Sequence, residues 1–386
     1  MVIYRCYKLN ISVRIRNKGR RPAPARMTLS GWQAGRKQLT INFKSMSNAN
    51  SYIGVDLHKK MCFVTVMDKE GKIKKQTEIS TDADKVAKFF SKHTNAAVAV
   101  ESTMNWIPFY ENLEGLGCKV VLSNPLATKA IAAARIKNDK VDSKILADLL
   151  RTNLLPLSYV QPREIRDLKE LVRQRMSYVE MRTRIKNKIH SVLFKNNLKH
   201  DFTCLYGKAG MIWLKQLELR DIYRQEMDRY LTTLDLLDKQ IEELSATIME
   251  TAKTDYDCQL LMTIPGISYF TALVIKSEIG NIERFGSAKK LCSYAGLIPS
   301  TYASADKVRH GRITKRGSKW LRKALVDAIT SGSRHPSKLT FLYRKLKKNK
   351  GTGKAKVATA RKLCTIVFAI LTDKQPFREF VSVKQR

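Results

Sequence analysis

The chain reads as an α/β domain followed by an all-α part, and three features of its 386 residues set that division. Between residues 51 and 150, short β-branched runs alternate with segments of helical period. Residues 163–200 and 218–252 are long helix-patterned stretches with no Pro or Gly inside. From about Asp257 the pattern stays helical while the segments shorten, as in a compact helical domain. The expected divisions are a basic extension over 1–50, the α/β domain over 51–160, a long helical region over 161–256 and a C-terminal helical domain over 257–386.

Residues 52–57 turn Ile53 and Val55 to one side, 62–67 are a β-branched run, and Asp68-Lys-Glu-Gly71 makes a turn into 73–79. These three read as an antiparallel meander. Thr81 and Asp84 resemble a helix N-cap pair ahead of the apolar face of Val86, Phe89 and Phe90. Residues 96–101 are apolar up to a final carboxylate, the profile of a buried central strand. A helix through Phe109, Leu113 and Leu116, a strand over 118–122 and an Ala-rich helix over 126–135 follow. Asn138 then starts a helix with Asp139 and Asp142 on one face and Ile145, Leu146, Leu149 and Leu150 on the other.

In the long helical region, Leu234, Leu237, Ile241, Leu244 and Ile248 step by 3, 4, 3 and 4, an a/d seam. A helical hairpin or coiled coil is expected, with Gly207 and Gly210 near its tip and Arg182, Arg184, Lys186 and Lys188 covering one arm. Further on, 261–279 carries two apolar helices around Pro265-Gly266. This is the layout of a helix-hairpin-helix, whose turn amides, Gly266 among them, can hold a backbone phosphate; an ordinary αα-corner is the competing reading. A helix over 355–371 closes the chain.

The charge narrows the function. Lys and Arg number 72 against 34 Asp and Glu, a net +38, which points to a polyanion and first of all to nucleic acid. No run of about 18 uninterrupted apolar residues is present, so no membrane-spanning helix is expected. The 7 cysteines are scattered without a CxxC pair, which argues for a reducing compartment and against a structural zinc site or a disulfide framework. Residues 1–45 hold 11 Lys or Arg and no acid. That extension reads as a basic arm, a transit-like leader, or sequence upstream of a true start at Met46; the last is favoured, because the ordered pattern begins just after it.

Two groups of residues could do chemistry. Asp56 lies inside the first strand, Glu101 ends a later one, and Asp139 and Asp142 share a helix face. A carboxylate between Val55 and Leu57 is costly unless a cation compensates it, and clustered oxygen ligands suit Mg²⁺ or Mn²⁺. Each acid singly reads as an edge position or a salt-bridge partner. Together, on a meander followed by alternating strands and helices, they favour a metal-dependent nuclease fold of the RNase H kind. The second group lies in residues 302–325. There Ser304 precedes Lys307, Arg309, Arg312, Lys315, Arg316, Lys319 and Arg322, as in a loop and helix start that sit on phosphates. A solvated basic turn is the plain alternative.

Six motifs in order, YIGVDLHKK from Tyr52, VAVEST from Val98, KNDKVDSKILADLL from Lys137, TIPGI from Thr263, FGSAKKLCSYAGLIPS from Phe285 and GRITKRGSKWLRKAL from Gly311, resemble the DEDD transposases of the insertion sequence 110 family, related to the Piv DNA invertases. The similarity runs from Tyr52 to about Phe377. It implies a RuvC-type, RNase H-like domain with a metal-binding tetrad at Asp56, Glu101, Asp139 and Asp142, then a coiled-coil insertion and a helical transposase domain. It implies a serine nucleophile at Ser304, five residues after Pro299, with Ser300, Ser293 and Ser318 as neighbouring competitors. Members usually carry glycine after that serine and often asparagine at the position of Ser318; Ala305 and Ser318 depart from this. The implied cofactor is Mg²⁺ or Mn²⁺. The implied partners are the DNA of element ends and target, a structured non-coding guide RNA, and further copies of the chain in a dimer or tetramer, in a prokaryotic cytoplasm. A Piv-like invertase, a RuvC-like junction nuclease and a non-catalytic nucleic-acid-binding descendant are the alternatives.

Overall fold

A computed structural model describes residues 49–132, 138–304 and 307–378, and the chain divides into two compact units between Gln161 and Pro162. The basic extension expected over 1–50 lies almost wholly outside the described residues.

The first unit is a mixed sheet with helices on both faces. Strands β1 (Ser51–Leu57), β2 (Met61–Met67) and β3 (Ile73–Ser80) form the antiparallel meander, followed by helix α1 (Ala83–Phe90). Strand β4 (Ala96–Glu101), helix α2 (Trp106–Gly115), strand β5 (Lys119–Ser123), helices α3 (Pro125–Ile131) and α4 (Asp139–Arg151) and the short β6 (Leu157–Ser158) complete it. The strand order is β3-β2-β1-β4-β5-β6, with β1, β4 and β5 mutually parallel at the centre. This topology is consistent with the RNase H-like expectation.

Side-chain alternation divides the sheet between two cores. Ile53, Val55, Leu57, Val98, Val100, Val120 and Leu122 pack with Val86, Phe90, Phe109 and Leu113 on the α1/α2 face. Tyr52, Ala97, Ala99 and Val121 pack with Leu146, Leu149 and Leu150 of α4 on the other. Small residues on that second face let α4 come close. A Cβ on Gly54 would lie 1.9 Å from the carbonyl oxygen of Ser143 and 2.5 Å from the amide nitrogen of Ala147, so only glycine permits this approach. A buried hydrogen bond of 2.7 Å between the Thr65 and Ser143 hydroxyls fixes it further.

Two local expectations are corrected here. Helix α1 takes Asp82 as its N-cap residue, and Thr81 instead donates its hydroxyl to the Lys59 carbonyl at 3.0 Å, tying the helix start to the β1–β2 turn. The Ala-rich helix is shorter than 126–135, running Pro125–Ile131 with Asn124 as its cap; residues 133–137 lie outside the described set.

The second unit begins with helix α5 (Arg163–Lys195), the short α6 (Lys208–Gln216) and α7 (Asp221–Thr254). Helices α5 and α7 run antiparallel, since Arg175 meets Ser245 at 2.6 Å and Arg182 meets Asp238 at 2.7 Å. Near the turn of this hairpin, Ile189, Val192 and Leu193 pack on Leu214, Met227, Leu231 and Leu234, with α6 filling a place that sequence periodicity left unassigned. The chain continues through α8 (Tyr256–Met262), α9 (Tyr269–Ile279) and α10 (Ala288–Tyr294), strands β7 (Pro299–Ser304) and β8 (Lys307–Ile313), and helices α11 (Lys319–Gly332), α12 (Lys338–Lys350) and α13 (Thr352–Asp373). Their apolar faces form one core around Leu363, Ile366, Val367 and Ile370 of α13.

The basic stretch expected as a loop and helix start is in large part a β-hairpin, β7 pairing antiparallel with β8. Thr301 and Tyr302 of β7 and Val308 and Ile313 of β8 are good strand formers, and in β8 the interleaved cations hide the pattern. The turn at Pro265-Gly266 does separate two apolar helices, α8 and α9. Gly266 adopts φ of 94°, and a Cβ there would stand 2.4 Å from the Ala328 carbonyl oxygen of α11, so close helix packing requires glycine at this turn.

Candidate functional site

The carboxylate site follows from strand register. Gly54 and Asp56 share one face of β1, so the contact that brings α4 onto Gly54 also brings the first turn of α4 toward Asp56. That turn carries Asp139 and Asp142, and its start is fixed by Asn138, whose side chain accepts from the Val141 amide at 2.8 Å. The parallel register pairs Val55 with Val100, which carries Asp56 and Glu101 to the C-terminal ends of adjacent strands. Alternation places Glu101 and Ser123 on the α4 face too, and these two residues are themselves register partners.

Asp56 is 6% exposed. Burial pushes its carboxyl up to about 6; His58 opposes the rise, and the charges of Asp139, Glu101 and Asp142 add to it. The field of each of the other three acids therefore reaches Asp56. The imidazole Nε2 of His58 stands 3.1 Å from Asp139 Oδ2 and 3.6 Å from Asp56 Oδ2. Donor atoms of Asp56, His58 and Asp139 all lie within 4.8 Å of one another, as a single cation requires. Ser123 Oγ, on the same sheet face, is buried with no hydrogen-bond partner among the described residues.

His58 was not singled out from sequence, although it stands within the first motif. The available signal was its spacing: two residues past a buried strand aspartate puts a side chain on the same face. Its backbone is held at the strand end, where its amide donates to the Met61 carbonyl at 3.0 Å and its carbonyl accepts from the Asn105 side chain at 2.8 Å.

The second unit holds the serines and the basic residues. Ser304 ends β7, opposite Lys307 at the start of β8. Arg309, Arg312, Lys315, Arg316 and Lys319 are exposed, and the Lys307 side chain lies outside the described residues. Arg322 is half-buried and donates to the Ala295 carbonyl at 3.0 Å, so its guanidinium has a structural partner. Two competitor serines are engaged as well. Ser300 donates its hydroxyl to the Arg312 carbonyl at 3.1 Å. Ser318 caps α11 by accepting from the Leu321 amide at 3.0 Å, and donates to Glu278 Oε2 at 2.8 Å.

Comparison with known proteins covers both units. A family profile described as "Transposase", of the DEDD type of IS110, matches residues 53–196, and one described as "Transposase IS116/IS110/IS902 family" matches 258–344. The transposase for insertion sequence element IS1111A of Coxiella burnetii is 26% identical over 338 residues, spanning 84% of this chain and 91% of the relative. The pilin gene-inverting protein of Moraxella lacunata is 31% identical over 268 residues, 67% of this chain and 74% of the relative. The transposase for insertion sequence element IS1328 of Yersinia enterocolitica is 25% identical over 277 residues, 71% and 81% respectively. With a carboxylate-bearing α/β unit and a serine-bearing helical unit matched in order, the chain belongs to the insertion sequence 110 family of transposases, DNA recombinases akin to the pilin gene inverters.

Proposed function

We propose that the protein cuts and rejoins DNA to excise and insert its own insertion sequence, with Asp56, Glu101, Asp139 and Asp142 holding divalent metal and Ser304 as the nucleophile. The observation that supports this reading is the grouping of donor atoms of buried Asp56, His58 and Asp139 within 4.8 Å of one another, with the charges of Glu101 and Asp142 also felt at Asp56. The donor set fits Mg²⁺ or Mn²⁺: carboxylate oxygens on a strand end and a helix start, a buried Asp56, and the Ser123 hydroxyl on the same face, which has no hydrogen-bond partner among the described residues. When bound, such ions supply Lewis acidity at the phosphate and offset charge on the attacking and leaving oxygens.

The residues of the chain do the rest. Asp56 and Glu101, at the ends of adjacent strands, give the site a fixed floor, while α4 supplies Asp139 and Asp142 from the side. Ser304 Oγ bonds to phosphorus as the bond from phosphorus to one deoxyribose oxygen breaks. The serine proton is lost, the departing oxygen gains one, and a phosphoserine link and a free hydroxyl result, so that reversal rejoins the strand. Ser300 and Ser318 are engaged in bonds that hold the hairpin and cap α11, which counts against these two as the free nucleophile. Exposed Arg309, Arg312, Lys315, Arg316 and Lys319 suit the phosphate backbone. The first unit is read as RuvC-type, the α5–α7 hairpin as the family's coiled-coil insertion, and Pro265-Gly266 as a helix-hairpin-helix turn. A guide RNA paired to donor and target DNA completes the proposal, in keeping with a charge of +38.

The test mixes the full chain with the element's ends, its flanking non-coding RNA and Mg²⁺. A denaturation-resistant protein–DNA adduct is expected, and Ser304→Ala should abolish it. An adduct that persists in the variant assigns the nucleophile elsewhere; hydrolytic cleavage without any adduct indicates a junction nuclease. The 31% identity to a pilin gene-inverting protein supports one second reading, inversion of a flanking segment, recognisable by inverted rather than excised products.

A further inference from the structure

The tetrad contains only oxygen donors, yet an imidazole stands beside two of its members. His58 Nε2 lies 3.1 Å and 3.6 Å from oxygens of Asp139 and Asp56. Neighbouring ligands on one octahedral ion, each at about 2.1 Å from it, are about 3 Å apart. His58 therefore stands at the spacing of a co-ligand. Its backbone is pinned through Met61 and Asn105, so the ring is offered from a fixed strand end rather than a free loop.

Imidazole nitrogen is a poor ligand for Mg²⁺ and an accepted one for first-row transition ions, whereas carboxylates serve both. We infer that His58 is a metal ligand of this site and makes it discriminate in favour of a nitrogen-accepting ion such as Mn²⁺ over Mg²⁺. The inference rests on the metal-holding role proposed above for Asp56 and Asp139. It adds a donor of a different element and a choice of ion, neither of which the carboxylate tetrad supplies. The competing role for His58 is that of a counter-ion, its protonated ring balancing Asp56 and Asp139 until a cation displaces it. Both roles give the same geometry without metal and differ once metal is present.

The experiment uses the full chain and Mn²⁺ alone as probe, with no DNA and no turnover. Pulsed electron paramagnetic resonance of the Mn²⁺-loaded protein reads directly coordinated ¹⁴N, and calorimetry gives dissociation constants for Mn²⁺ and Mg²⁺. Wild type should show ¹⁴N modulation that His58→Ala and His58→Gln lose. The preference for Mn²⁺ over Mg²⁺ should fall at least about tenfold in both variants. Unfolding curves in chelator confirm that His58→Gln, at an exposed position, stays folded. Binding of Mn²⁺ that needs Asp56 but shows no ¹⁴N signal, or an unchanged ion preference, would overturn the His58 inference while leaving the carboxylate site intact. Mn²⁺ binding that is undiminished in Asp56→Asn would sink the metal-site reading itself, and this inference with it.

Discussion

Among the described residues two carboxylates are buried, one in each unit, and their neighbours could hardly differ more. Glu278, 1% exposed in α9, receives two hydrogen bonds from Arg173 at 2.9 and 2.7 Å and one from Ser318 at 2.8 Å, with Lys169 at 3.7 Å. Asp56, 6% exposed in β1, meets a histidine and the fields of three other acids. Glu278 is a satisfied structural charge that ties α5 to α9 and the start of α11. Asp56 has, among the described residues, only the His58 imidazole at 3.6 Å set against the charges of three other acids, and the metal proposed above would supply the further positive charge. Burial alone does not separate the two acids; the sign of the surrounding charge does.

Removing each charge should move stability in opposite directions. Glu278→Gln leaves Arg173 without its anion and should cost about 3 kcal/mol in denaturant unfolding. A loss under 1 kcal/mol would show that the Glu278 cluster is closer to neutral than its bonding suggests.

Asp56 predicts a pH effect of the opposite kind. Its carboxyl is raised in the fold from 3.8 to about 6, so the folded state holds the proton more tightly. Its contribution to stability is greatest below 3.8 and is lost as pH rises through about 6. In chelator, the stability of wild type relative to Asp56→Asn should therefore fall by about 2–3 kcal/mol across that window. A difference that stays flat with pH would mean Asp56 does not titrate against its neighbours.

Gly54→Ala sharpens the geometric side of the comparison. The added methyl meets the backbone of Ser143 and Ala147, so α4 must shift, at a cost of about 2 kcal/mol and with weakened divalent-ion binding. Unchanged ion affinity would show that the placement of α4 is not what assembles the site. The smallest effect belongs to Ser318→Ala, which removes a helix cap and one bond to Glu278 and should cost about 1 kcal/mol while leaving adduct formation intact. Loss of the adduct in a folded Ser318→Ala protein would move the nucleophile to that residue.

Much of the first unit was legible because its signals are local. Alternation in 52–57, a carboxylate ending an apolar strand and an Asn-capped helix are each visible within about ten residues, and they pointed to Asp56 and Asp139, whose carboxylates the fold brings together beside His58. The contribution of His58 was harder to see, since an imidazole beside Lys59 and Lys60 looks like one more surface cation. The hairpin of β7 and β8 was missed because β7 is short and polar and the strand formers of β8 alternate with Arg and Lys, which read as a loop when charge is weighed ahead of period. Glu278 was invisible for a different reason. Its partners Arg173 and Ser318 lie 105 and 40 residues away, and no local pattern announces a contact at that separation.

The most direct test of the account is thermal unfolding of wild type, Asp56→Asn and Glu278→Gln, each in chelator and in Mn²⁺ or Mg²⁺ at neutral pH. The account predicts that the ion raises the melting temperature of wild type and Glu278→Gln but not of Asp56→Asn, and that Asp56→Asn in chelator is at least as stable as wild type. An Asp56→Asn protein destabilised in chelator like Glu278→Gln, together with no response of wild type to the ion, would contradict it and make Asp56 a second structural acid.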